Sequence, residues 1–344
     1  MKRVAIYGIG SLGTIIGALL TKNGCQVDLI DSYKENIWAL QKNGATVTGF
    51  MNFNVAVNAY TPDQLSGFYD LVILLTKQTT NIIELPKLLP FLHEESVLCT
   101  LQNGIPEQSI AKIVGLHRIV GGVVGFGATW KSLGVSELTS TAEVVQNFAF
   151  EIGEISGENT QRIQEIQQLL SFVGATKILP NLMGIRWSKL LMNATFSGMS
   201  AALGCTFGDI LDHKKAMFCL AHIADETIKV CHASGFEMVK MNGLNMGDLE
   251  LNFPNDVVNK LPLYHQVWNS HRKLKASMLQ DLEKGRPCEI EFINGVISAT
   301  GKVLNIKTPF NNKVVELIKK AEQNKCVNDF SYISHFNELI DSIY

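Results

Sequence analysis

This 344-residue chain has few charged residues of either sign and no long unbroken apolar run. Only 18% of its residues are charged, and 30 basic residues nearly balance 32 acidic ones, for a formal net charge of −2. Without a basic excess or a basic cluster, the sequence predicts no nucleic-acid partner. Its most apolar run, 190–203, is broken by several polar residues, so we also predict no membrane partner.

Cysteine and histidine are present without any motif. The seven cysteines are an odd number and none lies in C-x-x-C spacing, which argues against a disulfide framework and a zinc site. The eight histidines form neither H-E-x-x-H nor H-x-x-x-H, so we predict no metal. The first predicted strand begins at Arg3, which leaves no room for a signal peptide. The chain is therefore expected to be cytoplasmic.

The start of the chain carries a strand, a glycine-rich turn, a helix and a second strand. The turn reads Gly8-Ile9-Gly10-Ser11-Leu12-Gly13. In this G-x-G-x-x-G pattern Gly8 makes the tight turn, Gly10 lets the backbone approach a pyrophosphate, and Gly13 lets the helix pack on the strand. The N–H groups at the helix N-terminus, with Ser11 and Leu12, would face the phosphates. The pattern predicts a dinucleotide site, and a turn without a ligand is the alternative.

Asp31 ends the second strand. A carboxylate at this position accepts hydrogen bonds from the adenosine ribose of NAD and repels the additional phosphate of NADP. Lys34 lies close by in the sequence and has the opposite charge. The predicted cofactor is therefore NAD(P)H, with NAD favoured over NADP by Asp31.

Strand and helix patterns alternate as far as Pro180. Apolar strands at 70–76 and 96–101 end in Lys77 and in Gln102-Asn103-Gly104. This alternation predicts an α/β fold with a Rossmann-type, doubly wound sheet. Ligands bind beyond the carboxyl ends of such strands, so we expect the glycine turn, Lys77 and Asn103 to converge on one crevice.

After Pro180 the strand patterns stop and long helical patterns follow. We expect helices at about 183–203, 207–234, 257–284, 288–304 and 311–325. The chain is long for one domain. We therefore predict a dinucleotide-binding Rossmann domain at 1–180 and an all-helical domain at 181–344 for substrate binding and dimerisation.

Two features of the helical half indicate chemistry. Lys189, Asn193 and Ser197 are four residues apart, so they share one face of an otherwise apolar helix. The alternative is a buried helix whose polar groups are capped or bridged by water. Glu289 lies in the first turn of a predicted helix, where the helix dipole alone favours an acid.

With these motifs in their order, the sequence resembles the ketopantoate reductase (2-dehydropantoate 2-reductase) family over nearly the whole chain. The matching segments are Gly8-Gly10-Gly13, Thr76-Lys77, Leu101-Gln102-Asn103-Gly104, Lys189-Leu190-Leu191-Met192-Asn193, Ser277-Met278-Leu279-Gln280-Asp281, Gly285-Arg286 and Glu289-Ile290, with Asn294-Gly295 after them. The resemblance implies reduction of the 2-keto group of ketopantoate to D-pantoate in pantothenate biosynthesis.

The resemblance also implies roles for single residues. Lys189 would be the general acid, and Glu289 would orient the substrate or that lysine, close to the cofactor. Asn193, Ser197 and Ser277 would contact the substrate. Asn103 would position the nicotinamide beside the substrate and Lys77 would bind the cofactor.

The chain departs from the family pattern at two positions. Ser197 stands where the family usually has a second asparagine, and Asp31 where members that use NADPH tend to have a basic or small residue. Both departures favour an alternative within the family, an NAD-dependent D-2-hydroxyacid dehydrogenase that accepts other bulky 2-keto acids. A second alternative is a nucleotide-binding protein without catalysis, which the presence of both Lys189 and Glu289 disfavours. The expected partners are a small 2-keto acid and a second copy in a homodimer.

Overall fold

The computed structural model describes residues 2–241, 243–253 and 255–343. The chain forms two compact units. The first runs as far as Gln102 and resumes over Pro106–Leu182, and the second comprises Asn103–Ile105 and the chain from Met183 onward. Ile105 packs against the hydrophobic core of the second unit.

The first unit is built on an eight-stranded sheet of order β12-β11-β8-β7-β6-β1-β2-β5. All neighbouring strands are parallel except β11 and β8, which are antiparallel. The strands of this unit, in chain order, are β1 (Val4–Tyr7), β2 (Val27–Ile30), β3 (Ala45–Gly49), β4 (Phe53–Val55), β5 (Asn58–Tyr60), β6 (Tyr69–Leu74), β7 (Leu92–Thr100), β8 (Ile119–Val124), β9 (Ala128–Ser132), β10 (Val135–Leu138), β11 (Phe150–Glu154) and β12 (Thr176–Ile178).

Helices cover both faces of this sheet. They are α1 (Ser11–Lys22), α2 (Lys34–Asn43), α3 (Asn81–Leu88), α4 (Glu107–Val114), α5 (Ala142–Phe148) and α6 (Gln161–Ser171). Because side chains alternate along a strand, Ile6 packs in the core cluster that includes α1 and α6, whereas Tyr7 packs in the cluster that includes α3 and α4. The doubly wound sheet predicted from the sequence is therefore confirmed.

Strands β3, β4, β9 and β10 form a separate sheet of order β4-β3-β10-β9. Strands β3 and β10 are parallel, and the other two pairs are antiparallel. Helix α1 packs against this sheet as well as against β1 and β2.

The second unit is almost entirely helical. Its elements are α7 (Leu182–Met192), α8 (Gly198–Leu203), α9 (Phe207–Leu211), α10 (Lys214–Ala233), α11 (Asp256–Trp268), α12 (Ser277–Glu283), α13 (Asn294–Val303), α14 (Pro309–Asn324) and α15 (Asn337–Asp341). A hairpin of β13 (Lys240–Met241) and β14 (Leu244–Asn245) corrects the prediction that this half is wholly helical. The fold class itself is confirmed.

Four of the five long predicted helices are broken or begin later than predicted. The predicted 207–234 helix is interrupted at 212–213, between α9 and α10. The predicted 183–203 helix contains a π-helical segment, Asn193–Ser197, between α7 and α8. The predicted 257–284 helix ends at Trp268 and resumes at Ser277. The predicted 288–304 helix is wrong at its start, because a 3₁₀ turn occupies Ile290–Phe292 and α13 begins only at Asn294. In the part of the chain that the structure describes, every helix is too short or too polar to cross a membrane.

Candidate active site

The glycine-rich turn between β1 and α1 has the shape that a dinucleotide site needs. Gly8 adopts a φ of 106°, and a Cβ on it would lie 2.4 Å from the backbone nitrogen of Thr76. A Cβ on Gly13 would lie 2.1 Å from the Gly8 carbonyl oxygen. Gly10, by contrast, is exposed, and a Cβ on it would meet no atom of the described residues within 4 Å. The turn therefore packs tightly through Gly8 and Gly13 and leaves open space at Gly10.

The N-terminus of α1 follows this open position directly. Gly10 is the N-cap of α1 and has no side chain that could accept a hydrogen bond from the first turn. The N–H groups of that turn belong to Ser11, Leu12 and Gly13. Helix α6, in contrast, is capped by the Thr160 side chain. A helix start without a side-chain cap, next to open space, fits the pyrophosphate of a dinucleotide.

Asp31 follows the carboxyl end of β2 and contacts the same turn. Its Oδ2 accepts a hydrogen bond from the Ile9 N–H at 2.6 Å, and its Oδ1 accepts one from the Tyr33 N–H at 2.9 Å. Burial raises the pKa of Asp31 more than these two N–H groups lower it, and the charge of Glu84 raises it further. Asp31 therefore braces the glycine turn. Each carboxylate oxygen can accept a further bond, so contact with a ribose remains a prediction.

Polar side chains also connect the ends of β6 and β7. The Gln102 amide donates to the Thr76 carbonyl at 2.7 Å and to Asn81 Oδ1 at 2.8 Å, and Asn81 Nδ2 donates back to Gln102 Oε1 at 3.1 Å. Lys77 is partly exposed beside this network, and its carbonyl accepts bonds from the Thr80 N–H and hydroxyl. Lys77 therefore lies at the same carboxyl edge as the glycine turn.

Asn103 is partly exposed and lies between the buried Gln102 and Gly104, whose φ is 77°. Asn103 belongs to the second compact unit, whereas the glycine turn and Lys77 belong to the first. Its contact with a nicotinamide remains a prediction.

Sequence reasoning missed a carboxylate at this edge of the sheet. Glu84 lies on α3, where its Oε2 accepts bonds from the Tyr7 and Ser32 hydroxyls, both at 2.7 Å. Its Oε1 accepts a bond from Lys87 Nζ at 2.8 Å. Burial opposes the ionisation of Glu84, but these hydrogen bonds hold its pKa below the usual value. The one signal in the sequence was that Glu84 and Lys87 are three residues apart, a spacing that allows an ion pair on a helix. That spacing did not indicate the contact with Ser32.

In the second unit, the predicted polar line lies on α7 and the π-helical segment. Lys189 is in the last turn of α7, Asn193 opens the π-helical segment and Ser197 ends it. From 187 to 203 the partly exposed residues are Lys189, Met192, Asn193 and Ser197, and the others are buried. The three polar side chains are therefore at accessible positions of an otherwise buried stretch.

A chain of buried polar residues holds the π-helical segment. Asn294, fully buried at the start of α13, donates through Nδ2 to the Ala194 carbonyl at 3.0 Å and to Asn311 Oδ1 at 2.9 Å. Asn311 Nδ2 in turn donates to the Glu226 carboxylate at 2.7 Å. On its apolar side, Phe196 stacks on Trp268 with ring centroids 4.6 Å apart. Single π turns are frequent at functional sites.

Ser277 and Glu289, whose roles the family resemblance implied, lie in two different places. Ser277 is exposed at the start of α12, which packs against α8 and the π-helical segment. The Ala276 N–H donates to Ser200 Oγ at 3.2 Å, so the start of α12 is tied to α8. Glu289 is partly exposed and precedes the 3₁₀ turn Ile290–Phe292, which packs against α13 and α14. The structure thus places the helix of Ser277 next to the turn that carries Asn193 and Ser197.

Among the described residues, no three or more His, Cys, Asp or Glu side chains are grouped so that they could hold a metal ion. The seven cysteines are free thiols. The candidate site is thus made of a lysine, amides, hydroxyls and carboxylates.

Comparison with known proteins gives the same family in both halves of the chain. Residues 4–155 match the family model for ketopantoate reductase PanE/ApbA, and residues 181–322 match the model for its C-terminal region. The 2-dehydropantoate 2-reductase of Pyrococcus horikoshii is 28% identical over 323 residues, which are 93% of this chain and 97% of that protein.

Two solved structures have the same fold over nearly the whole chain. The 2-dehydropantoate 2-reductase of Geobacter metallireducens has a TM-score of 0.76 at 27% identity, covering 93% of this chain and 99% of that one. A D-mandelate dehydrogenase with NADH and anilino(oxo)acetate has a TM-score of 0.79 at 22% identity, covering 94% and 99%. At that identity the second likeness concerns the fold alone.

Proposed function

Because the chain belongs to the ketopantoate reductase family and is an oxidoreductase, we propose that it reduces ketopantoate to D-pantoate. In this reaction a hydride from NAD(P)H reaches C2 of the 2-keto acid, and a proton reaches the carbonyl oxygen. The observation that best supports the proposal is the set of accessible polar side chains, Lys189, Asn193 and Ser197, on a stretch that is otherwise buried.

Lys189 is the proposed general acid. The carbonyl oxygen gains negative charge as its carbon receives the hydride, and a nearby ammonium group stabilises that charge. The same ammonium donates its proton, so the substrate leaves as a hydroxy acid and the lysine as a neutral amine that regains a proton from solvent. Bound NAD(P)H supplies the hydride.

The other predicted residues position the reactants in this proposal. Asn193 and Ser277 bind the hydroxyl or the carboxylate of the substrate, and Ser197 borders its side chain. Glu289 orients the substrate or the Lys189 ammonium, near the cofactor. A homodimer in the cytoplasm remains the expected state of the protein.

Most residues of the proposed cofactor site are in the first unit, and Asn103 is grouped with the second. The open position at Gly10 and the first turn of α1 receive the pyrophosphate. Lys77 and Asn103 contact the cofactor farther along, towards the nicotinamide. Asp31 is at the adenosine ribose and favours NAD over NADP.

A second candidate is an NAD-dependent D-2-hydroxyacid dehydrogenase of the same family. Two residues favour it, Ser197, whose short side chain enlarges the substrate pocket, and Asp31. Reaction type and general acid are the same as in the first proposal, so only the side chain of the 2-keto acid differs.

A steady-state assay of the purified protein distinguishes the candidates. Ketopantoate, a phenyl-substituted 2-keto acid and a branched-chain 2-keto acid are each offered with NADH and, in parallel, with NADPH. We expect the highest kcat/KM with ketopantoate. A preference for the phenyl or branched substrate would support the dehydrogenase instead. Cofactor binding without turnover of any 2-keto acid would refute both.

A further inference from the structure

The corner of the first unit where β2 ends contains two hydrogen-bond donors. Ser32 follows Asp31 in the chain and is exposed, and Lys87 is on α3 with its side chain 42% accessible. The Lys87 Nζ lies 3.4 Å from Ser32 Oγ. A hydroxyl and an ammonium at this corner are the types of group that would bind the 2′-phosphate of NADP.

Both donors are already engaged by one carboxylate. Glu84 Oε2 accepts the Ser32 hydroxyl at 2.7 Å, and Glu84 Oε1 accepts the Lys87 ammonium at 2.8 Å. The Tyr7 hydroxyl also donates to Oε2 at 2.7 Å and helps to hold this carboxylate in place. Glu84 is 8% exposed, so its carboxylate has little surface left for a ligand.

The direction of these bonds determines what the corner can bind. The Ser32 hydroxyl has one proton, which it donates to Glu84, and its oxygen accepts Lys87 Nζ at 3.4 Å. The exposed Ser32 hydroxyl can therefore act towards a ligand only as an acceptor. A ribose 2′-hydroxyl can donate to that oxygen, whereas a 2′-phosphate is mostly doubly ionised at neutral pH and acts mainly as an acceptor. The Lys87 charge is offset by Glu84, so little attraction for a phosphate remains.

We propose that Glu84 is a specificity-determining residue for the cofactor, because it withholds the Ser32 hydroxyl and the Lys87 ammonium from a 2′-phosphate. This inference rests on the proposed NAD(P)-dependent function and adds to the role of Asp31. Glu84 acts through Ser32 and Lys87 and is therefore a positioning residue. Replacement by glutamine removes the charge that offsets Lys87 and leaves one acceptor oxygen in place of two, without adding a new basic residue.

The test is equilibrium binding of NADH and NADPH to the purified full-length protein, by titration calorimetry without substrate. Three proteins are compared with the wild type: Glu84→Gln, Lys87→Met and the double variant. We expect Glu84→Gln to tighten NADPH binding relative to NADH by about tenfold, the size of one added hydrogen bond to a charged group. The Lys87→Met change removes a donor that is already engaged and leaves the Glu84 charge without its partner, so it should not tighten NADPH binding relative to NADH.

The double variant distinguishes a gain in NADPH binding that depends on the Lys87 ammonium from a gain caused by a loosened fold. If Lys87 is the released donor, most of the gain for NADPH is lost again in Glu84→Gln/Lys87→Met while NADH binding stays constant. An unchanged ratio in Glu84→Gln, with NADH binding intact, would overturn the inference and leave the proposed function standing. If the wild type binds neither dinucleotide, the proposed function itself fails.

Discussion

Replacement of Glu226 by glutamine should flatten the pH dependence of stability between about pH 5 and 7. Glu226 lies on α10, only 6% exposed, where it accepts bonds from the N–H groups of Phe310 and Asn311 and from the Asn311 side chain. It therefore caps the start of α14 and ends the chain of buried polar groups that holds the π-helical segment. Burial raises its pKa from 4.5 to about 7, despite these hydrogen bonds.

The expected magnitude follows from that pKa. A carboxyl group with a higher pKa in the folded state binds more protons there than in the unfolded state, so the unfolding free energy falls as pH rises. The stabilisation is complete below about pH 4.5 and is lost as pH rises through about 7. At 1.36 kcal/mol for each pH unit of difference, the loss is about 3 kcal/mol. Glutamine does not ionise, so the variant lacks this slope.

The assay is urea unfolding at several pH values, followed by tryptophan fluorescence. The buried tryptophans, Trp187 and Trp268, are both in the second unit and report on its unfolding. The matched control is Glu316→Gln on α14. Hydrogen bonds from Lys313 and Lys320 lower the pKa of Glu316 to about 2, so its titration lies below this pH range. An equal slope in wild type and Glu226→Gln would refute the reasoning, whatever the absolute stabilities.

Three further substitutions test the candidate site. Lys189→Ala should lower kcat about 10²- to 10⁴-fold, the usual contribution of a general acid, and leave NADH affinity unchanged. Wild-type turnover would exclude the assigned role. Lys284→Ala, at an exposed lysine, serves as the control. Asp31→Ala should weaken NADH more than NADPH by about tenfold in Kd, and parallel losses for both cofactors would show that Asp31 only braces the turn. Ser197→Asn should raise kcat/KM for ketopantoate relative to a phenyl-substituted 2-keto acid, and a ratio that does not move would remove Ser197 from the substrate pocket.

Features that depend on residues close together in the sequence were predictable. The glycine turn is one example, because the close approach of Gly13 to the Gly8 carbonyl joins residues five apart in the sequence. The parallel strands β1, β6 and β7 are another, since continuous apolar runs are typical of strands covered on both faces. The accessible positions of Lys189, Asn193 and Ser197 also follow from helical spacing.

Features that depend on distant residues were not predictable. The π-helical segment takes its form from packing and from the bond that Asn294 donates to the Ala194 carbonyl, one hundred residues earlier in the chain. Periodicity cannot distinguish such a segment from a continuous α-helix. Glu84 was missed for the same reason, because Tyr7 and Ser32 come to it from 77 and 52 residues away.

The grouping of Asn103–Ile105 with the second unit has a consequence for synthesis on the ribosome. These residues emerge with the first unit, but the core against which Ile105 packs begins at Trp187 in the sequence. At 5–20 residues per second, translation needs roughly 4–16 s to cover that distance. The loop therefore reaches its final packing later than the strands on either side of it. Until translation has passed Trp187, Asn103 lacks the core of the unit with which it is grouped.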